Sequence, residues 1–279
     1  MTTVSDVGIA DRARFAAAPP VSAEFCRQAI QQALKKIDAN LIPFRDKFPA
    51  PASQNLVYPA IDNVEWTSSF WTGMLWLAFE VTGEPRYREA AEHQLASYRK
   101  RVDERIMTDT HDLGFLYSLS CVSAHQLTGN QEAAKTALKA ADLLMERYFD
   151  AAGIIQAWGD LKDAENRGRM IIDCAMNLPL LYWATRITGD PKYRQAACRH
   201  ASQSARYIIR PDASSYHTFY MDVETGAPRF GRTNQGYADD SCWARGQAWG
   251  IYGFALSYRH SGDAGLLELD QKITNYFLN

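Results

Sequence analysis

The sequence lacks the patterns of a membrane protein, a secreted precursor or a common metal or nucleotide site. No apolar run approaches the roughly 20 residues that cross a bilayer, and the N-terminus has no basic start followed by an apolar segment, so no signal peptide is predicted. CxxC, HExxH, Walker and GxGxxG motifs are all missing. A net charge of −2 argues against a groove for polyanions. These absences predict a soluble, cytoplasmic protein that binds neither membranes nor nucleic acid.

Cysteine is scarce and irregularly spaced. The five cysteines are odd in number and scattered, and four of them lie in apolar helical patterns. Free cysteine is one of the most buried residue types, and disulfides are rare in reducing compartments. We therefore expect buried free thiols at positions 26, 121, 174, 198 and 242.

What the sequence does contain is a repeated helical hairpin. In each copy, an apolar helix ends in Thr-Gly, and a two-residue turn leads to a second helix with apolar positions three or four residues apart. The glycine fits a helix C-cap, and Pro85 and Pro191 fit the first position of the following helix. The clear copies are EVTGEPRYREAAEHQLASYRKRV, QLTGNQEAAKTALKAADLLMERY and RITGDPKYRQAACRHASQSARYI, and RHSGDAGLLELDQKITNYFLN is a looser fourth.

The two helices of each pair differ in polarity. The first is apolar nearly all round and the second is amphipathic, which predicts buried inner helices and exposed outer ones. The turns begin at 82, 128, 188 and 261, and this lengthening spacing excludes a regular solenoid. With one earlier helix at about 22–42, the pattern predicts nine helices. We therefore predict an all-α, (α/α)6 barrel, a six-hairpin toroid that lacks its last helices in this chain.

The predicted catalytic domain spans residues 21–279, after a flexible N-terminal tail at 1–20. The extra residues between hairpins fall in two long connections, 151–170 and 211–241. Loops of this length in a compact fold are usually functional. The second connection contains a predicted β-hairpin, HTFYMDVETGAPRFGRTNQG.

Four polar or aromatic residues occupy equivalent positions in the hairpins. Trp66, Asp112 and Arg245 each lie 16 residues before the following turn, and Asp173 lies 15 residues before its own. At 1.5 Å per residue, each is about 24 Å from its turn. The four residues are therefore expected at one rim of the barrel. Carboxylates, an arginine and indole rings together are typical of a carbohydrate site.

The two aspartates are predicted to have contrasting environments. Taken alone, each aspartate fits a helix N-cap as well as it fits a functional role. Asp112 follows His111 in a polar setting, where a helix N-terminus favours its ionised form. Asp173 is flanked by MII and CAM, so desolvation is expected to raise its pKa and suit it to donate a proton. The contrast favours an acid–base pair over two caps.

Several other residues have structural alternatives. Trp66 and Trp249 fit core positions as well as a binding site, whereas Trp158 lies in a loop. A histidine in a hairpin, such as His217, is commonly structural. Asp239 and Asp240 are predicted as N-cap residues of the fourth inner helix.

The sequence resembles the unsaturated glucuronyl hydrolases of glycoside hydrolase family 88. The resemblance covers about 60–260, in the family's order. It rests on the phrases NVEWTSSFWTGMLWLA, THDLGFLY, IIDCAMNLPLLYWA, HTFYMD and NQGYADDSCWARGQAWGIYG. It implies an (α/α)6 barrel that removes 4,5-unsaturated uronic acid from the non-reducing end of lyase-generated glycosaminoglycan oligosaccharides. No metal or organic cofactor is implied, and the oligomeric state is left open.

The resemblance also implies roles for individual residues. Asp173 and Asp112 correspond to the two essential acids: Asp173 is expected to protonate C4 and help to activate the water that adds at C5, while Asp112 binds ring hydroxyls. The candidate substrate-binding residues are Trp66, His111, Trp158, His217, Gln235, Arg245 and Trp249. An arginine fork at 245 suits a planar uronate carboxylate.

Three alternatives compete with this interpretation. An unsaturated rhamnogalacturonyl hydrolase shares the fold and a similar acid pair, but the phrase DDSCWARGQAWG favours the glucuronyl type. A non-catalytic helical-repeat carbohydrate-binding protein gives no reason for acids, arginine and tryptophan to share one rim. An α/α-barrel sugar epimerase needs histidine acid–base pairs, and only six histidines are present.

Overall fold

Helices dominate the computed structural model, which describes residues 3–279. The helices are α1 (Arg12–Ala16), α2 (Ala23–Asn40), α3 (Ser68–Thr82), α4 (Pro85–Asp103), α5 (Leu113–Tyr117), α6 (Ser123–Thr128), α7 (Gln131–Met145), α8 (Pro179–Thr188), α9 (Pro191–Tyr207), α10 (Ala244–Ser261) and α11 (Ala264–Leu278). A π-helical stretch, Ser118–Val122, joins α5 to α6, and a 3-10 helix, Ile172–Met176, precedes α8. The strands are β1 (Phe48–Pro49), β2 (Ala60–Ile61), β3 (Tyr148–Phe149), β4 (Ile154–Ile155), β5 (Arg169–Ile171), β6 (Thr218–Met221) and β7 (Pro228–Arg232).

Each predicted turn between paired helices is confirmed. Gly83 ends α3 in the left-handed conformation, with φ of 71°, and its N–H donates to the Phe79 carbonyl at 2.7 Å. Only glycine adopts this conformation without a Cβ penalty, which explains the repeated Thr-Gly. Gly129, Gly189 and Gly262 end their helices in the same way. The hairpin pattern therefore follows from local capping.

The chain divides into two compact units. The first contains the described residues up to Asp11, together with Asp109–Gly114 and Ala141–Asn279. The second contains Arg12–Thr108 and Phe115–Ala140. The domain boundaries predicted from the sequence stay a prediction.

The core of the second unit combines aromatic packing with buried hydrogen bonds. The Thr72 hydroxyl of α3 lies 2.7 Å from the Gln94 side-chain oxygen and 2.9 Å from the Tyr98 hydroxyl, both on α4. The Tyr98 ring contacts the rings of Phe48 and Tyr117 edge-on. The contact with Tyr117 fastens the α3–α4 hairpin to the end of α5, within the second unit.

In the first unit, α10 packs closely on the 3-10 helix. A Cβ on Gly253 would lie 2.3 Å from the Ala175 Cβ, and one on Gly250 would lie 3.2 Å from the Ile172 side chain. Small residues on α10 therefore allow close approach to the segment that carries Asp173.

The predicted β-hairpin in the long second connection is confirmed, because β6 and β7 pair antiparallel. A third strand, β5, pairs antiparallel with β6 and was not predicted. In the register, Ile171 lies opposite Thr218 and Thr218 lies opposite Arg232. The end of β5, the start of β6 and the end of β7 therefore lie at the same end of the sheet.

Residues of the predicted tail make contacts within the first unit. The Ser5 N–H donates to the Pro211 carbonyl at 2.7 Å, and the Ala10 N–H donates to Asn279 Oδ1 at 2.8 Å. The flexibility of residues 1–20 stays a prediction. Burial of Cys121 and Cys174 is confirmed, but Cys198 and Cys242 are half-buried and Cys26 is exposed, so the predicted burial of these three is wrong. Cys26 lies on α2, which presents most of its residues to solvent. A membrane-spanning helix is not found among residues 3–279.

Candidate active site

The candidate site of the first unit is built on extended segments joined by backbone hydrogen bonds. The His111 N–H donates to the Ala157 carbonyl at 2.6 Å, and the Ala157 N–H donates to the Arg169 carbonyl at 2.9 Å. Beyond β5, the Ile172 N–H donates to the His217 carbonyl at 3.1 Å. Segments that are far apart in sequence are thereby fixed side by side.

This framework brings candidate residues together. Asp173 comes two residues after β5, His217 directly before β6, and Gln235 three residues after β7. All three residues therefore lie just beyond the same end of the sheet. Asp112 immediately follows His111, which is linked to β5 through Ala157. The negative charge of Asp112 contributes to the raised pKa of Asp173, as expected of neighbouring carboxylates.

Thr110 and His111 lie against the two carboxylate oxygens of Asp112. Thr110 Oγ1 donates to Asp112 Oδ2 at 2.7 Å, and His111 Nε2 lies 3.4 Å from Oδ1. The Asp112 side chain is 17% exposed, whereas His111 is fully enclosed. Burial, followed by the charges of Arg147 and Arg169, lowers the pKa of His111 to about 3. His111 is therefore neutral at neutral pH and packs beside the Asp112 carboxylate.

Asp173 has the opposite environment. It lies in the first turn of the 3-10 helix, and its Oδ1 is buried with no hydrogen-bond partner in the described part of the chain. Burial raises the pKa of Asp173 to about 7, with a further contribution from Asp112 and an opposing one from Arg245. The predicted effect of desolvation is confirmed. Asp173 can hold a proton at neutral pH and release it to a substrate.

A backbone contact links the two aspartates. A Cβ on Gly114 would lie 2.3 Å from both Cα and the carbonyl oxygen of Asn177. Gly114 follows Asp112 by two residues, and Asn177 follows Asp173 by four. The side chain of Asn177 also donates to the Asp173 carbonyl at 3.4 Å. The separation of the carboxylates therefore depends on a close approach that only glycine permits.

His217 is oriented as a hydrogen-bond donor. Its Nδ1 accepts the Asn234 N–H at 3.1 Å and lies 2.7 Å from Thr218 Oγ1. The proton of the neutral ring therefore belongs on Nε2, which is buried and lacks a partner among the described residues. Burial lowers the pKa of His217 to about 4, with smaller electrostatic contributions from His111, Arg245 and Arg169. His217 can present a neutral N–H to a ligand oxygen.

Arg245, at the start of α10, is held by two neighbours. Its Nη2 donates to Gln235 Oε1 at 2.6 Å, and its guanidinium carbon lies 4.5 Å from the centroid of the Trp243 ring. The same Trp243 ring contacts His217 edge-on at 4.9 Å. Trp243 was not predicted, although its position two residues before Arg245 in the quoted phrase was a usable signal. Trp249 is half-buried, one turn after Arg245 on α10.

The remaining predicted aromatics lie in different units. Trp158 is a half-buried loop residue of the first unit, with Arg169 4.3 Å from its ring centroid. Trp66 belongs to the second unit, where its ring contacts Phe70 at 5.9 Å and Phe115 at 6.1 Å. The place of Trp66 in a binding site stays a prediction.

The predicted capping role of Asp239 and Asp240 is wrong. The N-cap of α10 is Trp243. Asp239 Oδ1 instead accepts the Thr233 N–H at 2.7 Å and closes the loop that contains Gln235. Among the described residues, no group of three or more potential ligands could hold a metal ion.

A carboxyl group with a pKa near 7, a second carboxylate beside it and an arginine fork define an acid–base site on a helical-hairpin scaffold. Together with the partly open Trp158, this is the site of a carbohydrate-active enzyme. Comparison with known proteins agrees with that class. The model of Glycosyl Hydrolase Family 88 matches residues 47–277, and the chain belongs to this family.

Relatives and solved structures are similar over most of this chain. It is 49% identical over 266 residues to an unsaturated chondroitin disaccharide hydrolase of Streptococcus pneumoniae, covering 95% of this chain and 67% of the relative. It is 51% identical over 252 residues to an unsaturated glucuronyl hydrolase of Bacillus sp., covering 90% of this chain and 67% of that relative. A crystal structure of unsaturated glucuronyl hydrolase from Streptococcus agalactiae matches with a TM-score of 0.97 at 45% identity, covering 100% of this chain and 70% of that one.

The predicted fold class is confirmed, because these enzymes have the α/α barrel fold. The chain spans about two thirds of the length of the curated relatives that it matches.

Proposed function

We propose that this protein hydrolyses glycosaminoglycan oligosaccharides that end in a 4,5-unsaturated uronic acid, releasing that sugar from the non-reducing end. The observation that carries the proposal is the carboxyl of Asp173, whose Oδ1 is buried without a partner among the described residues and whose pKa is near 7, beside the carboxylate of Asp112. The relatives support the substrate class, since several are named unsaturated chondroitin disaccharide hydrolases. A variant of the Streptococcus agalactiae enzyme has also been crystallised with dGlcA-GalNAc6S.

The chemistry proposed is hydration of the C4–C5 double bond. Asp173 donates its proton to C4, and positive charge develops at C5, where the ring oxygen stabilises it. Water adds its oxygen to C5 and returns one proton to the Asp173 carboxylate, so the acid is regenerated. The hemiketal at C5 opens to a ketone, and the hemiacetal left at C1 releases the second sugar. One proton donor with a pKa near neutrality serves both steps.

The neighbours of Asp173 have distinct roles in this proposal. The carboxylate of Asp112 accepts hydrogen bonds from ring hydroxyls, and its charge keeps the pKa of Asp173 high. The fork of Arg245, oriented by Gln235, pairs with the planar uronate carboxylate. His217 donates Nε2–H to a sugar oxygen, and Trp158 offers its ring to sugar C–H groups.

The protein is also proposed to act in the cytoplasm. Support comes from its scattered cysteines, which form no disulfide among the described residues, as expected in a reducing compartment. Fractionation of the cells that make it, with a cytoplasmic marker enzyme as reference, tests this location.

The decisive experiment follows the ultraviolet absorbance of the double bond in an unsaturated chondroitin disaccharide. The expected result is loss of absorbance with wild-type protein and none above background with Asp173→Asn or Asp112→Asn. An unsaturated heparin disaccharide compares substrate types, and a rhamnogalacturonan-derived unsaturated disaccharide tests the pectin alternative. A folded wild-type protein that consumes none of them contradicts the proposal, and consumption of the pectin disaccharide alone replaces the substrate.

A further inference from the structure

Two buried arginines hold the loop that carries Trp158. Arg147, which is 3% exposed, donates from Nε to the Gln156 carbonyl at 3.0 Å and from Nη2 to the Gly159 carbonyl at 2.9 Å. Arg169, which is 4% exposed, donates from Nη2 to the Trp158 carbonyl at 3.0 Å. The backbone on both sides of Trp158 is thereby fixed by guanidinium groups.

Arg169 also contacts the Trp158 side chain itself. Its guanidinium carbon lies 4.3 Å from the ring centroid, and its Nη1 donates to Asn166 Oδ1 at 2.7 Å. The guanidinium is therefore held both by Asn166 and by the Trp158 carbonyl. Trp158 as a whole is half-buried, and the ring of His111 also contacts it edge-on at 6.4 Å.

The burial of these two charges is not explained by ion pairing. Removing a guanidinium from water is expensive. The carboxylate nearest to Arg147 is Asp109, at 4.0 Å and 91% exposed. Within residues 3–279, Arg169 forms no salt bridge. Their hydrogen bonds go mainly to backbone carbonyls of residues 156–159, so their effect is to fix that loop.

We propose that Arg169 is a positioning residue for sugar binding: it packs against one face of the Trp158 indole and holds the ring so that its other face meets the substrate. The inference rests on the proposed function, because Trp158 needs an ordered position only if it stacks on a sugar. Arg169 begins β5, and Asp173 lies two residues beyond the end of that strand, in the 3-10 helix. The residue that packs on the indole and the proton donor are thus joined by one short strand.

A kinetic experiment with a matched control tests this role. Arg169→Met is expected to raise KM for the unsaturated chondroitin disaccharide about tenfold with a smaller change in kcat, because it removes a desolvated cation–π contact, and Arg169→Lys is expected to recover part of the loss. Arg167→Met is the control. Arg167 lies two residues away and is 40% exposed, with its ion pair to Glu224. The KM of Arg167→Met is expected to stay at the wild-type value.

The double substitution separates positioning from general stability. In a Trp158→Leu background, Arg169→Met is expected to change KM by less than about twofold, because the ring on which it acts is gone. A tenfold rise that persists without Trp158 overturns the proposal, as does a wild-type KM in Arg169→Met.

A second measurement does not depend on activity. With 5-fluorotryptophan incorporated, the ¹⁹F resonance of residue 158 is identified by its loss in Trp158→Phe. Arg169→Met and Arg169→Lys are expected to shift or broaden that resonance, and Arg167→Met to leave it unchanged. An unmoved resonance in both Arg169 variants refutes the positioning role. If wild-type protein consumes no disaccharide, the proposed function fails while this spectrum still decides the inference.

Discussion

Substitution of Gly114 by alanine is expected to disrupt the acid pair from a distance. The new Cβ would lie 2.3 Å from two backbone atoms of Asn177, where ordinary contact begins at 3.4 Å, so the segments must separate by about 1 Å. Overpacking of this kind costs about 1–3 kcal/mol of unfolding free energy. A 1 Å displacement of catalytic groups lowers the rate about 100-fold. We therefore expect both a loss of stability and a fall of about 100-fold in kcat/KM.

The assay for Gly114→Ala combines disaccharide kinetics with denaturant unfolding. Gly129→Ala is the control, at the C-cap of α6. Its Cβ meets nothing within 4 Å, but its φ of 73° is strained for alanine. It is expected to lose about 1 kcal/mol of stability and to keep its kcat/KM. Wild-type kcat/KM in a folded Gly114→Ala protein would refute the dependence of the carboxylate spacing on this contact.

Three further predictions concern charge. Because burial raises the folded-state pKa of Asp173 from 3.8 to about 7, its contribution to stability is fully present below pH 3.8 and is lost as pH rises through 7. Between pH 3.8 and about 7, the free energy of unfolding of wild type, measured with urea, is thus expected to fall by about 4 kcal/mol relative to that of Asp173→Asn. Equal pH dependence in both proteins contradicts this. The kcat/KM of wild type is expected to fall above about pH 7, as the proton of Asp173 is lost; a rate that rises steadily to pH 9 speaks against an acid. Arg245→Lys, which loses the fork oriented by Gln235, is expected to raise KM about tenfold; an unchanged KM would exclude that contact.

The helical hairpins could be predicted because their signals are local. A glycine that must adopt positive φ ends each inner helix, and apolar periodicity separates inner from outer helices. Asp173 lies in a 3-10 helix, Ile172–Met176, that precedes α8.

The support behind the site could not be read from the sequence, because it depends on long-range pairing. Strand β5 is three residues long and becomes a strand only where β6 lies beside it. Arg147 and Arg169 look like ordinary surface arginines in sequence, yet both are buried against loop carbonyls. Asp239 fitted a helix cap by position, but the backbone of Thr233 is its partner. Neither pairing nor burial of this kind has a periodic signature.

Proton donation by Asp173 at neutral pH is the claim on which the proposed chemistry depends. Its most direct test is a ¹³C NMR titration of protein labelled at the aspartate carboxyl carbons, with the resonance identified by its loss in Asp173→Asn. The midpoint is expected near pH 7 in wild type, because burial and the charge of Asp112 both oppose ionisation. In Asp112→Asn the midpoint is expected to fall. A wild-type midpoint near the ordinary aspartate value of 3.8 would contradict the assignment of Asp173 as the acid.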